Sequence, residues 1–436
     1  MRAGTNFPIC QGSENPGSEN TRSENPFATT LVEDIEAATR IRGGRTGITS
    51  EPSRKRTGAI ASQGFEFPVL YFFVTSVSFG GYKDLLMQEV IQELSASIRK
   101  AAAEETQLRI RGSGSKDFYG LALIGDVLDS RAMVGIVDYE PSELVMTARA
   151  GTPLRDVEKA LADRGQMLAF EPPHFGPEAT LGGCIACGFS GPRRASMGSA
   201  RDFVLGVRIV NGLGEDLRFG GQVMKNVAGY DVSRLLTGSF GTLGLITEVS
   251  LKVLPVPEQE LTLRFDLEEK RALELMNEWA ARPLPLSATC HLDGALYVRL
   301  SGALPAVVAT HKKLGGEAVH DGASLWQSIR EQSHPTFENA PALWRFSIKA
   351  TAPPLHLGRQ IVEWNGSLRW LAEDLDPGRA FDAAHNAEGH ATLFRGGNKR
   401  HGIQQFSSGL LAVHKKLKRV FDPRGILGPG RIHADF

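Results

Sequence analysis

The sequence predicts an α+β protein built from a glycine-rich ligand-binding domain and a second α+β domain, on three observations. Between Gly176 and Pro255 glycine recurs from Gly182-Gly183 through Gly188, Gly198 and Gly212 to Gly241 and Gly244, among Arg193, Arg194, Arg201 and Lys225. Glycine costs backbone entropy unless a position needs positive φ or a close approach, so this stretch reads as backbone wrapped against a large flat or phosphorylated ligand, offering its N–H groups. Upstream, Leu108 and Ile110 alternate with Arg109 and Arg111 in a strand that runs into the Gly112-Ser113-Gly114-Ser115-Lys116 loop, a candidate anion nest. From Glu258 onward, ordinary strand and helix patterns alternate instead.

Composition bounds the rest. A chain of 436 residues with 42% hydrophobic content can bury two to three domain cores. Lys+Arg and Asp+Glu are both 49, so no excess of cations is available to displace counterions from nucleic acid. Four cysteines, Cys10, Cys184, Cys187 and Cys290, are too few for a disulfide framework and point to a reducing, cytoplasmic setting. No apolar run reaches the roughly 20 residues that span a bilayer.

Residues 1–83 read as a disordered or non-native extension. Ser-Glu-Asn recurs at Ser13, Ser18 and Ser23, and a basic polar stretch from Arg40 to Arg56 follows; neither buries enough apolar surface to offset ordering entropy. Met87, Val90, Ile91, Leu94 and Ile98 then lie on one helical face, so the native chain is expected to start near Met87. Leu144–Ala150 reads as a strand, followed by a helix capped by Thr152 with Pro153 at its first position and ended by Gly165. Glu171-Pro172-Pro173-His174 is a rigid turn. Val204–Val210 and Asp216–Phe219 form a hairpin, and Leu245–Val253 alternates as a half-buried strand. Beyond it, Leu261–Phe265, Leu296–Leu300 and Phe346–Lys349 read as strands and Leu267–Ala281 as a helix.

The Gly/Ser loop fits neither GxGxxG nor a P-loop, since Asp117 stands where the third glycine would fall. A larger set of motifs is in place, however: Arg111–Lys116, Pro141-Ser-Glu-Leu-Val with Ala150-Gly-Thr, Ala179-Thr-Leu-Gly-Gly, Gly198-Ser-Ala-Arg-Asp, Lys225-Asn-Val-Ala-Gly-Tyr-Asp and Gly238-Ser-Phe-Gly-Thr-Leu-Gly. In this order and spacing they resemble the two-subdomain FAD-binding domain of vanillyl-alcohol-oxidase-like, PCMH-type flavoproteins. Gly191-Pro-Arg-Arg and Glu171-Pro-Pro-His narrow the resemblance to the FAD-binding E subunits of bacterial glycolate oxidases, from Met87 to the C-terminus.

That resemblance implies an FAD-binding domain over 84–257, a cap domain over 258–410 and a C-terminal segment, 411–436, returning to the first domain. It implies FAD held by Gly112, Ser113, Gly114, Ser115 and Lys116 at the pyrophosphate, by Pro172, Thr180, Gly182, Gly183, Ala186, Gly188, Gly198, Ser199, Arg201 and Asp202 around the flavin and ribityl chain, and by Gly241, Gly244 and Ile246. Ser115 occupies the position where some relatives carry a flavin-linking histidine, so the FAD is expected to be non-covalent. The implied activity is oxidation of glycolate, a small 2-hydroxy acid, to glyoxylate in a complex with a second FAD-containing subunit and an iron–sulfur subunit, with the complex peripheral at the inner membrane. A stand-alone D-lactate-type dehydrogenase and a non-catalytic FAD-carrying subunit are the alternatives. Phe240 and Gly428 depart from the family pattern, which usually has an acidic residue and an asparagine there.

The reaction needs a cation for the substrate carboxylate and a base for its hydroxyl proton. Arg345, Arg369, His385, His390 and Arg395 in the cap are the candidates. His385, Glu388 and His390 are not spaced as a metal site of this family, so no metal is expected. Cys184 and Cys187 form a CxxC that lacks the further thiolates of a cluster and reads as packing.

Overall fold

The computed structural model describes residues 80–121, 123–222, 231–399, 402–403 and 406–435. The extension up to residue 79 and the Lys225–Tyr230 part of one motif lie outside the described residues. The first helix runs Gly80–Glu104, seven residues ahead of Met87, so residues 80–83, expected in the extension, are helical. Ile91 and Ile98 of this helix are buried in the first core.

That core covers a five-stranded antiparallel sheet in the order Ile136–Glu140, Val145–Arg149, Leu245–Lys252, Val204–Val210, Asp216–Gly220. The hairpin forms as its sequence suggests, with Asn211 Oδ1 accepting from the N–H of Leu213 and Glu215 at 2.9 and 3.0 Å to hold the turn. Two expectations fail. Leu245–Lys252 is the central strand and is buried on nearly every residue rather than half-buried. Its polar members are satisfied inside: Thr247 donates to Arg208 O at 3.1 Å, and Ser250 meets Thr147 at 2.8 Å. The helix Leu154–Ala162 takes Pro153 as its cap, because the Thr152 hydroxyl is engaged with Gly135 N at 2.9 Å.

An eight-stranded antiparallel sheet follows, in the order Glu317–Ala318, Gln259–Asp266, Ala295–Gly302, Leu286–Leu292, Gln360–Glu363, Leu368–Leu371, Ala342–Ser347, His390–Gly396. The helix Glu269–Ala280 buries Leu273, Met276 and Trp279 against it. Register decides its faces. Arg345 stands opposite Trp370 and Glu363 opposite Leu368, while Phe346 and Val362 flank Arg369 one residue away, with side chains on the other face.

Charge ties the turn at Glu171 and the loop at Arg193 to the eight-stranded sheet. Glu171 accepts from Arg193 N and Nε, both at 2.9 Å, and from Arg299 Nη2 at 2.8 Å, and Arg193 Nη2 also pairs with Glu260. The two motifs that narrow the resemblance, Glu171-Pro-Pro-His and Gly191-Pro-Arg-Arg, therefore meet in one cluster. Nearby, Trp364 Nε1 donates to Gly191 O at 3.0 Å. After the helix Ser408–Phe421, Leu427 bridges in parallel to Leu108 of the strand Leu108–Arg111. The buried Lys418 fixes this return, its Nζ donating to Thr242 O at 2.8 Å, Leu427 O at 2.6 Å and Asp422 Oδ2 at 2.6 Å.

Candidate active site

The strand Leu108–Arg111 pairs in parallel with Asp126–Asp129 and then turns through Gly112–Lys116, all five of which line a cavity of about 910 Å³. The turn packs on the start of the helix Leu181–Cys187, whose cap is Thr180, with Gly183 N donating to its Oγ1 at 3.2 Å. A Cβ on Gly112 would stand 2.4 Å from Thr180 Oγ1, and one on Gly182 would stand 2.6 Å from Ala150 Cβ. Glycine is thus demanded here by the approach of protein to protein as well as by the open backbone facing the cavity. Thr180, Gly182, Gly183 and Ala186 form one wall, and Gly241, Gly244 and Ile246 another. Lys116 is engaged elsewhere, its Nζ donating to His174 O at 3.0 Å and Ser115 Oγ at 3.2 Å.

Of the four cations that line the cavity, Arg111 pairs with Asp117 at 2.7 Å and Lys116 is engaged as described, and the other two, Arg109 and Arg431, are residues that sequence reading missed. Arg431 enters from the C-terminal turn and donates through Nη2 to Lys116 O at 3.2 Å, but its Nη1 is buried without an acceptor, as is Arg109 Nε. Orphaned guanidinium N–H groups are costly, and the two beside a loop of small residues make a site for a diphosphate. The fit to FAD is therefore good. Arg431 was findable, since it follows the Gly428-Pro429-Gly430 turn, whereas nothing local marks Arg109.

Gly188, Ser199 and Arg201 line a second cavity of about 980 Å³ that shares Cys187 and Phe240 with the first. Pro172, Gly198 and Asp202 line neither cavity. Pro172 is buried beside Pro173, which does line the second, and Asp202 accepts from Ser199 N and Oγ at 2.8 and 2.7 Å to cap the short helix Ala200–Phe203. Phe240, one of the two departures from the family pattern, has φ +53° and stacks on Tyr119 at 5.3 Å. The CxxC sits between the cavities as inert packing: burial pushes the Cys184 thiol up to about 12 and Cys187 up to about 11.

Of the cap candidates, the structure brings Arg345 alone to the second cavity. Its guanidinium lies 5.5 Å from the Trp364 ring centre and Arg194 lies 4.4 Å from the same ring. Among the described residues Arg345 has neither a carboxylate within 4 Å nor a hydrogen-bond acceptor. Arg369 must be corrected: it is fully buried on the opposite face, with Nε donating to Gly366 O at 3.3 Å, Nη1 to Pro353 O at 2.6 Å and Nη2 to Ala352 O, and acts as a structural clamp. His385 is exposed on the helix Pro377–Asn386 and lines neither the first nor the second cavity. His390 lines a third cavity, about 1000 Å³, shared with Tyr119 and Phe240, and burial together with Arg345 lowers its pKa. Arg395 donates to Phe337 O at 2.8 Å. No cluster of three His, Cys, Asp or Glu able to hold a metal exists among the described residues.

A residue outside the expected set stands with Arg345. Glu363, 4% exposed, lines the second cavity and accepts from Trp370 Nε1 at 2.8 Å through Oε1. Burial raises its pKa to about 7, against the lowering effect of the Trp370 hydrogen bond and Arg345.

The FAD binding domain family matches residues 87–220, and with the relatives below it makes the chain an FAD-dependent oxidoreductase. The glycolate oxidase subunit GlcE of Escherichia coli K12 is 48% identical over 345 residues, 79% of this chain and 97% of that subunit, and the chain belongs to this family of glycolate oxidase subunits. The glycolate oxidase subunit GlcD of Bacillus subtilis is 33% identical over 39% of this chain and 37% of its own length. A D-lactate dehydrogenase of Archaeoglobus fulgidus is 24% identical over 78% and 89%. The solved structure of alkyldihydroxyacetonephosphate synthase shares the fold, with a TM-score of 0.55 at 16% identity over 78% of this chain and 74% of that one. Among the described residues no helix is long and apolar enough to cross a membrane.

Proposed function

We propose that the chain is the FAD-carrying subunit of a glycolate dehydrogenase complex, in which it holds glycolate in the second cavity and passes electrons to a second flavin subunit and an iron–sulfur subunit. Gly112–Lys116, Arg109 and Arg431 hold the diphosphate, and the segments around Gly182, Ser199 and Gly241 wrap the rest of the cofactor. Residues 84–257 with 411–436 form the FAD domain and 258–410 the cap. The complex touches the inner membrane only peripherally. Bound FAD supplies the acceptor for a hydride.

The observation that carries this reading is Arg345, a cation with no carboxylate within 4 Å and no hydrogen-bond acceptor among the described residues, in a cavity that shares Cys187 and Phe240 with the FAD cavity. Its guanidinium binds the glycolate carboxylate in a charge-assisted, two-pronged hydrogen bond. In the assembled complex, Arg345→Ala is expected to raise the KM for glycolate about 10- to 100-fold, at roughly 1.5–3 kcal/mol for such a bond, with Arg345→Lys intermediate. An unchanged KM would remove glycolate from this cavity. Full glycolate-driven dye reduction by the isolated chain would overturn the subunit reading in favour of a stand-alone dehydrogenase.

No histidine lines the first cavity. Acid precipitation is therefore expected to leave a colourless pellet and a yellow supernatant, and colour retained by the polypeptide would show a covalent link.

A further inference from the structure

We infer that Glu363 is the residue that takes the hydroxyl proton of the 2-hydroxy acid held by Arg345. This inference rests on the proposed placement of glycolate in the second cavity and adds the base that the reaction requires. Three features of the geometry carry it. Glu363 and Arg345 line the same cavity but form no ion pair within 4 Å, which leaves space between cation and carboxylate for a small molecule. Trp370 Nε1 holds Oε1 at 2.8 Å and fixes the carboxyl group, while Oε2 has no hydrogen-bond partner among the described residues. The side chain is 4% exposed, so a buried acid with one uncommitted oxygen faces the cavity.

The step balances as follows. The α-hydroxyl O–H bond of glycolate breaks and its proton goes to Glu363 Oε2. The C–H bond breaks with its electron pair, which leaves as hydride to bound FAD, the oxidant, and the carbonyl of glyoxylate forms. Substrate is oxidised and FAD reduced by two electrons, and the proton on Glu363 returns to solvent before the next turnover. Tyr119, whose pKa burial raises, stays a neutral phenol in the same cavity and offers no competing base.

The charges around Glu363 set its pH response. Arg345 faces it from the strand Ala342–Ser347, Cys290 stands directly opposite on Leu286–Leu292, Glu171 acts from its turn, and Arg194, Arg201 and Arg330 line the same cavity. Burial dominates and places the group near pH 7. A base must be ionised to accept a proton, so flavin reduction climbs as pH rises towards about 7 and levels off above it.

The test uses the full FAD-loaded chain, alone and with its partner subunits. Anaerobic flavin reduction by glycolate is followed from pH 5 to 9 in the parent, Glu363→Gln and Glu363→Asp, and oxalate affinity is read from the flavin absorption band. Glu363→Gln is expected to slow reduction about 100-fold or more, to lose the limb near pH 7, and to bind oxalate at least as well as the parent, with Glu363→Asp recovering part of the rate. A Glu363→Gln variant that keeps the parent rate and pH limb would overturn the assignment while leaving the cavity reading intact. Equal loss of oxalate binding and rate would make Glu363 a structural residue and also overturn it. A parent flavin that glycolate never reduces, alone or in the complex, would overturn the substrate reading and this inference together.

Discussion

An Arg193→Met variant is expected to unfold about 3–5 kcal/mol more readily than the parent, the usual cost of breaking a buried pair and leaving one charge behind. Arg193 is 3% exposed and supplies Glu171 with two of its three donors, the backbone N–H and Nε. The variant keeps the N–H but strips the cation, so Arg299 is the one cation left to the Glu171 carboxylate. Glu260, the other partner, has 38% of its side chain exposed and can turn to water. The matching Glu260→Gln change should accordingly cost no more than about 1 kcal/mol. The pH dependence has a definite sign. Burial alone would raise the Glu171 carboxyl, but Arg299 and then Arg193 outweigh it and hold the group below the ordinary carboxylate value. Its contribution is complete above the unfolded-state value of about 4.3 and is lost as pH falls through the lower folded value. Urea melts should therefore show a stability loss of the parent below about pH 4 that is blunted in Arg193→Met. Coincident curves at pH 7 would show that this charge cluster is idle.

How far the molecule is legible in its sequence follows from which signals are local. The loop Gly112–Lys116 announces itself because a period-two strand runs directly into small residues, and the helix start at Thr180 is likewise local chemistry. The central strand Leu245–Lys252 misleads, since Ser250, between Glu248 and Lys252, imitates a wet face while spending its hydroxyl on Thr147 inside the sheet. The cap is harder still. Arg345 and Arg369 are both arginines beside tryptophan, indistinguishable until the register is known; pairing Arg345 with Trp370 sends one to the cavity and the other into the opposite core. Glu363 follows the same rule, since opposite Leu368 it shares the cavity face with Trp370. In Gln360-Ile-Val-Glu363-Trp nothing local separates it from a solvent-facing strand residue. Arg109 is read as an exposed alternating residue, and its orphaned Nε appears only once the C-terminal turn lies alongside the strand.

The same turn sets the second large effect. Asp422→Ala is expected to cost about 3–5 kcal/mol and, beyond that, to weaken FAD retention without touching the cofactor. Asp422 is 1% exposed, accepts from Leu427 N at 2.7 Å and Ile426 N at 3.2 Å, and neutralises Lys418, whose pKa burial pulls down. Without it a buried ammonium is left on two carbonyls, and the turn loses the acceptor that shapes residues 426–428. Gly428 and Arg431 line the first cavity, so loosening this turn withdraws one of its two orphaned guanidinium groups from the diphosphate. The two consequences separate by linkage, because a ligand stabilises the folded state only in proportion to RT ln(1 + [L]/Kd). Melts of the apo chain report the ion pair alone, whereas the further loss in the FAD-loaded chain reports weakened binding, which release of flavin fluorescence measures directly. A Lys418→Met, Asp422→Leu double variant removes both charges together and should recover most of the apo stability, yet it leaves Leu427 N without its acceptor and so should still shed FAD. Recovery of FAD retention in the double variant would mean that charge, rather than the shape of the turn, holds Arg431 in place.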